Sequence, residues 1–111
     1  MTAPVRTTPK TIEWPSKSGT TYTYYIHPIG TIFQDKPGNY VFAKEISPDH
    51  WKPLYFGETE HLSDRLTSSH EKLPCVRRNG GTYVHVHKSS ANASARRVEE
   101  SDLINRWGQV C

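Results

Sequence analysis

Short segments of strand-type alternation recur along this chain, each closed by a turn signal, and only one long stretch carries helical character. From Thr20 to Ile26, residues Tyr22, Tyr24 and Ile26 fall on one side and Thr21, Thr23 and Tyr25 on the other, the period of a strand. Pro28 and Gly30 punctuate it, so Thr31–Phe33 is expected to pair back as a hairpin, and Asp35-Lys36-Pro37-Gly38 makes another turn. Gly38–Ala43 reads as a second strand, and a polar loop over Glu45–Lys52 leads to a third at Leu54–Gly57. Thr59 is placed as an N-cap, with Glu60 favouring a helix through about Ser69 whose apolar stripe is Leu62 and Leu66. Asn79-Gly80-Gly81 is a strong turn, and Thr82–His87 alternates again. Ala91–Trp107, rich in Ala, Arg, Glu and Leu and stopped at Gly108, is the long helix. The pattern predicts an α+β domain, a small and mostly antiparallel β-sheet flanked by helices, with an added N-terminal β-hairpin. Residues 1–11, rich in Thr and Pro, read as a flexible tail, and residues 12–111 as a single domain.

The chain has 111 residues, enough for one modest core, and its three Trp, six Tyr and three Phe offset a low hydrophobic fraction of 34%. No stretch approaches the roughly 18 apolar residues of a membrane span, and no signal peptide opens the sequence, so a cytoplasmic protein without a membrane partner is expected. Cys75 and Cys111 form neither a disulfide framework nor a zinc spacing, and reduced thiols are the expectation. The formal charge of +3 permits a nucleic-acid partner without requiring one. Basic residues gather at Lys72, Arg77, Arg78, Lys88, Arg96 and Arg97. Arg77-Arg78 precede a Gly-Gly turn, a shape suited to a backbone phosphate; the plain alternative is a solvated face.

Within the long helix, at about 100° per residue, Ala93, Leu103, Ile104 and Trp107 share one sector. Glu100 projects into the middle of it, while Glu99 points towards the rim. A carboxylate in an apolar stripe must be paired, hydrogen-bonded or metal-bound; an ion pair to Arg96 one turn earlier is the structural alternative. Arg65, beside Leu62 and Leu66, is suited to two-pronged phosphate binding if the helix holds it rigidly. His85 and His87 share one side of a strand, as paired metal-ligating histidines do, and a polar strand face is the alternative.

Taken in order, Gly38-Asn39-Tyr40, Tyr55-Phe56-Gly57, Arg65 and Glu100 within Glu-Ser-Asp-Leu-Ile resemble the GIY-YIG nuclease superfamily. That family carries a GIY strand, a YIG strand, an Arg on the next helix and one metal-binding Glu on a later helix. The resemblance implies Mg²⁺ or Mn²⁺ held on Glu100 with water and phosphate oxygens. Tyr40 or Tyr55 would orient or deprotonate the attacking water, and Arg65 would stabilise the transition-state charge. His70 stands near the family's helix-borne His or Tyr, although that residue falls four past the Arg, where this chain has Ser69. Glu58 stands where the family has a non-acidic residue, Asn39 and Phe56 alter the two motif centres, and the Asn that often follows the family's Glu helix has only Asn105 nearby.

The expected function is therefore metal-dependent phosphodiester cleavage of DNA or RNA. The catalytic candidates are Tyr40, Tyr55, Arg65, His70 and Glu100, with Glu100 as the metal ligand and Arg77, Arg78, Arg96 and Arg97 on nucleic acid. One alternative is a degenerate member that binds nucleic acid or protein without cutting; a second is a small module binding metal through His85 and His87.

Overall fold

The computed structural model describes residues 10–89 and 91–111; of the expected flexible tail, residues 1–9 lie outside them. Five strands and three helices follow one another: β1 (Thr11–Pro15), β2 (Thr21–Pro28), β3 (Gly38–Ser47), β4 (His50–Thr59), α1 (Leu62–Arg65), α2 (Leu73–Arg78), β5 (Tyr83–Lys88) and α3 (Ala93–Trp107). The strands form one sheet in the order β1-β2-β5-β3-β4, every neighbouring pair antiparallel. The expected α+β architecture is the observed one.

Period-2 alternation sends β3 residues to opposite sides, and each side has its own core. Tyr40 and Phe42 join Leu54, Val84 and Val86 on the first face, covered by Phe33, Leu62, Leu73 and Val76. Val41 and Ala43 join Trp14, Tyr24 and Phe56 on the second, under Leu103, with Ile104 and Trp107 packed at its margin. The sheet thus separates α1 and α2 from α3. Asn92 caps α3, its side chain accepting from the Ala95 amide at 2.9 Å, and Gly108 ends it at φ 78°, a left-handed conformation suited to glycine.

Several local expectations are corrected. The N-terminal hairpin forms between β1 and β2, with Thr11 opposite Tyr25, and not with Thr31–Phe33, which is irregular. Thr11 therefore belongs to a strand and not to the tail. β3 and β4 run on through the expected Glu45–Lys52 loop to a tight turn at Asp49, whose φ of 64° is tolerated by a short polar side chain. The first helix does not span Thr59–Ser69: α1 covers only Leu62–Arg65, and Thr59 closes β4.

Cys75 and Cys111 are disulfide-bonded, their Cα atoms 5.9 Å apart, and are not the free thiols expected from their spacing. The chain after α3 turns back along β4, the edge of the sheet. The Gln109 side chain accepts from the Phe56 amide at 2.7 Å and donates to the Phe56 carbonyl at 3.1 Å, imitating a strand neighbour. The Val110 and Cys111 amides both donate to the Leu54 carbonyl. This path, which spacing in sequence does not encode, carries Cys111 to α2.

Candidate functional site

Tyr40 anchors a cluster on the first face. Its ring is 1% exposed, and its hydroxyl oxygen meets Arg65 Nε at 3.2 Å and His70 Nε2 at 2.8 Å. The Lys72 amide donates to His70 Nδ1 at 3.0 Å, so Nε2 carries the ring proton and donates to Tyr40. Two donors thus converge on the Tyr40 oxygen, an arrangement that favours negative charge there, and Tyr40's own proton is left for a third partner. Burial pushes the phenol pKa well up, while Arg65 pulls it back. Burial also lowers the His70 pKa to about 4, aided by Arg65, so the ring is neutral at pH 7.

Tyr55 sits beside this group, its ring 6.2 Å from that of Tyr40 and 5.7 Å from that of His70. It is only half-buried, so of the two tyrosines it is the one open to a ligand. Its pKa is raised by burial, lowered by Arg65 and raised again by the charge of Glu100. Glu100 belongs to α3, which packs on the second face, whereas Tyr55 packs against the core of the first. The Glu100 carboxyl is itself pushed upward by burial and by Glu58, with Arg97 opposing. The carboxylate of Glu100 is an oxygen donor of the kind a hard divalent cation takes.

Both motif glycines have steric causes. A Cβ on Gly57 would lie 2.5 Å from the Tyr40 hydroxyl oxygen, so the glycine of Tyr55-Phe56-Gly57 makes room for the phenol of Gly38-Asn39-Tyr40. A Cβ on Gly38 would lie 2.5 Å from the His87 carbonyl of the adjacent strand.

The structure brings Tyr40, Tyr55, Arg65 and His70 together and disperses the expected basic set. Helical phase puts His70 one step off, but the chain leaves helix after Arg65 and a loop delivers His70 to Tyr40. Arg77 and Arg78 are exposed at the end of α2, and Arg97 is exposed on α3. Arg77 also borders a cavity of about 360 Å³ walled by Phe33, Phe42, Leu66 and Leu73. Arg96 is a correction: it is 3% exposed, and its Nε binds Glu58 at 3.1 Å, so it is an internal partner and not a surface phosphate ligand. This ion pair also supplies a cation to the carboxylate of Glu58.

The two glutamates of α3 exchange places relative to the expectation. Glu99 is buried at 7% exposure, its Oε2 accepting from the Tyr24 hydroxyl at 2.6 Å and lying 2.8 Å from His87 Nδ1, while Glu100 is half-exposed. The buried face of α3 runs Arg96, Glu99, Leu103, and two of its three members are charged groups satisfied by partners elsewhere in sequence. Hydrophobic phase cannot find such a face. His85 does not join His87 in a two-histidine site: its Nδ1 accepts from Trp14 Nε1 at 3.1 Å, and burial holds its pKa down to about 3.

Two groupings had no sequence signal. Glu71 binds Arg65 through both carboxylate oxygens, to Nη1 and Nη2, each at 2.6 Å. Asp35, His61 and Asp64 present ligand-type atoms close together at the surface, from separate loops and α1. No protein family, no curated protein and no solved structure matches this chain.

Proposed function

We propose that this protein is a GIY-YIG-type, metal-dependent endonuclease that hydrolyses phosphodiester bonds in DNA or RNA. One observation carries the reading. The side chains of Tyr40, Tyr55, Arg65 and His70 meet in one cluster, and Tyr40, Tyr55 and Arg65 follow the order of the family's motifs. Arg65, held from behind by Tyr40, would turn to a phosphate the fork that Glu71 now occupies. His70, neutral and fixed in one tautomer, keeps the Tyr40 oxygen in place. Tyr55, open to solvent, orients the attacking water. Glu100, with water and phosphate oxygens, would hold Mg²⁺ or Mn²⁺, which supplies Lewis-acid stabilisation of the phosphate charge when bound. Arg77, Arg78 and Arg97 would carry backbone phosphates on either side.

Incubation of supercoiled plasmid and single-stranded oligonucleotides with Mg²⁺ or Mn²⁺ should give cleavage that EDTA abolishes. Glu100→Gln should remove cleavage and leave the melting temperature unchanged, with Glu99→Gln destabilising instead. Cleavage undiminished in Glu100→Gln defeats the assignment of that residue. A second reading, nucleic-acid binding without cutting, is favoured by the occupation of Arg65 by Glu71; binding without any cleavage by the unaltered chain would establish it.

No helix among the described residues is long and apolar enough to cross a membrane. A cytoplasmic location belongs to the proposal, and there the Cys75–Cys111 bond would be held mostly reduced. Counting free thiols after lysis under a rapid alkylating quench decides between the cytosol and an oxidising compartment.

A further inference from the structure

The Arg65 guanidinium is gripped from two sides of different character. On the buried side, Nε donates to the Tyr40 hydroxyl, itself fixed by His70. On the open side, Nη1 and Nη2 each donate to one oxygen of Glu71 at 2.6 Å. A carboxylate and a phosphate present two oxygens to an arginine fork in the same way. Glu71 therefore occupies the position that a substrate phosphate needs.

The setting of Glu71 is that of a removable occupant. Its side chain is 59% exposed, against 32% for Arg65, and it stands in the loop between α1 and α2, not on a helix. Its departure strands no charge in the interior, and an exposed pair of this kind contributes little to stability. Arg65 keeps its buried anchor whether or not Glu71 is present. The short loop nevertheless holds the carboxylate near the fork at an effective concentration on the order of millimolar. An incoming phosphate must outcompete that local carboxylate.

We propose that Glu71 is an internal competitor for the phosphate site of Arg65, selecting ligands with several phosphates over ligands with one. The inference rests on the reading of Arg65 as a phosphate ligand. A lone phosphate meets a tethered rival of similar geometry and gains little by exchange. A polyanion that also engages Arg77 and Arg78 stays bound while Glu71 swings out, so exchange at Arg65 becomes intramolecular for both contestants. Glu71 thereby sets a minimum length of nucleic acid that can reach the site. Arg65 holds the Glu71 carboxyl down to a pKa of about 2, so acid does not release it in the ordinary pH range.

The experiment uses the full chain without divalent metal, at low salt. Inorganic pyrophosphate is titrated while the Arg65 Nε–H resonance is followed by NMR, and fluorescein-labelled single strands of 4 and 20 nucleotides are titrated by anisotropy. Glu71→Gln and Glu71→Ala should both saturate with pyrophosphate at least tenfold below the unaltered protein. Both should gain more affinity for the 4-mer than for the 20-mer. Adding Arg65→Lys to Glu71→Gln should erase the gain for the 4-mer, read by anisotropy. Equal or weaker pyrophosphate binding in both Glu71 variants overturns the proposal, as does loss of the dispersed Arg65 signal, which would make Glu71 a positioning residue. The two readings fail separately. A pyrophosphate gain with neither strand bound keeps the competitor and removes the nuclease. Cleavage that needs Glu100, with no Glu71 effect in either titration, does the reverse.

Discussion

Tyr40 shows how one side chain ties a motif to its neighbours. Tyr40→Phe leaves the Arg65 Nε–H and His70 Nε2–H without their acceptor, and His70 is buried. The expected cost is about 1–3 kcal/mol, measurable by urea denaturation. Gly57→Ala should be at least as damaging, because the added methyl collides with the buried Tyr40 phenol, and overpacking of this kind costs about 1–3 kcal/mol. A stability unchanged in Gly57→Ala would mean that Tyr40 can move aside.

The histidines give the pH response. His70 and His85 have folded pKa values of about 4 and about 3, against 6.5 for the free group. As pH falls below 6.5 the unfolded chain takes up protons that these rings refuse, so stability falls with acid until they too protonate. His87 acts in the opposite sense: bonded to Glu99, its pKa is raised, and its contribution is complete below 6.5 and lost as pH rises through the folded value. The depressed pair dominates between pH 6.5 and about 4, with a limiting slope of about 1.4 kcal/mol per pH unit for each ring. Melting temperatures across that range should fall with acid, and His85→Asn should flatten the fall.

Among the elements, α3 is the sharpest test of what a sequence can disclose. Leu103 is fully buried on the second face, and Leu103→Ala should cost about 2–5 kcal/mol by calorimetry or denaturant. The existence and stop of this helix were legible through its composition and Gly108, whereas its start was expected at Ala91 and falls at Ala93, after the Asn92 cap. Its orientation was not: Arg96 and Glu99 are buried through Glu58, Tyr24 and His87, groups that only the folded chain brings near. The strands announced themselves through alternation, but the hairpin partner of β2 did not, since Thr11–Pro15 is too short and too polar to stand out. Loop-borne contacts were the least legible: His70 reaches Tyr40 and Glu71 reaches Arg65 by a path that obeys no periodicity. The cluster of Tyr40, Tyr55 and Arg65 was legible through motif order alone.

At the scale of the molecule, one sheet carries two cores, and the cluster of Tyr40, Tyr55, Arg65 and His70 lies on the first face, reaching the β4 edge through Tyr55. If the proposed function holds, nucleic-acid affinity should fall linearly in log terms against log salt, and replacing Arg77 and Arg78 by Ala should reduce the slope by roughly one for each phosphate no longer neutralised. An affinity indifferent to salt would point to a protein partner. The β4 edge explains the part played by residues 109–111. Gln109, Val110 and Cys111 satisfy the outward backbone groups of Phe56 and Leu54, and Cys111 is fastened to α2. Closing a span of 36 residues in this way limits the unfolded chain and is worth about 4 kcal/mol. Delete the strip, and β4 bares the amide and carbonyl of Phe56 and the carbonyl of Leu54 to the next molecule. The strip is thus a guard against self-association: light scattering should register growing assemblies from the trimmed protein at concentrations where the intact one stays monodisperse.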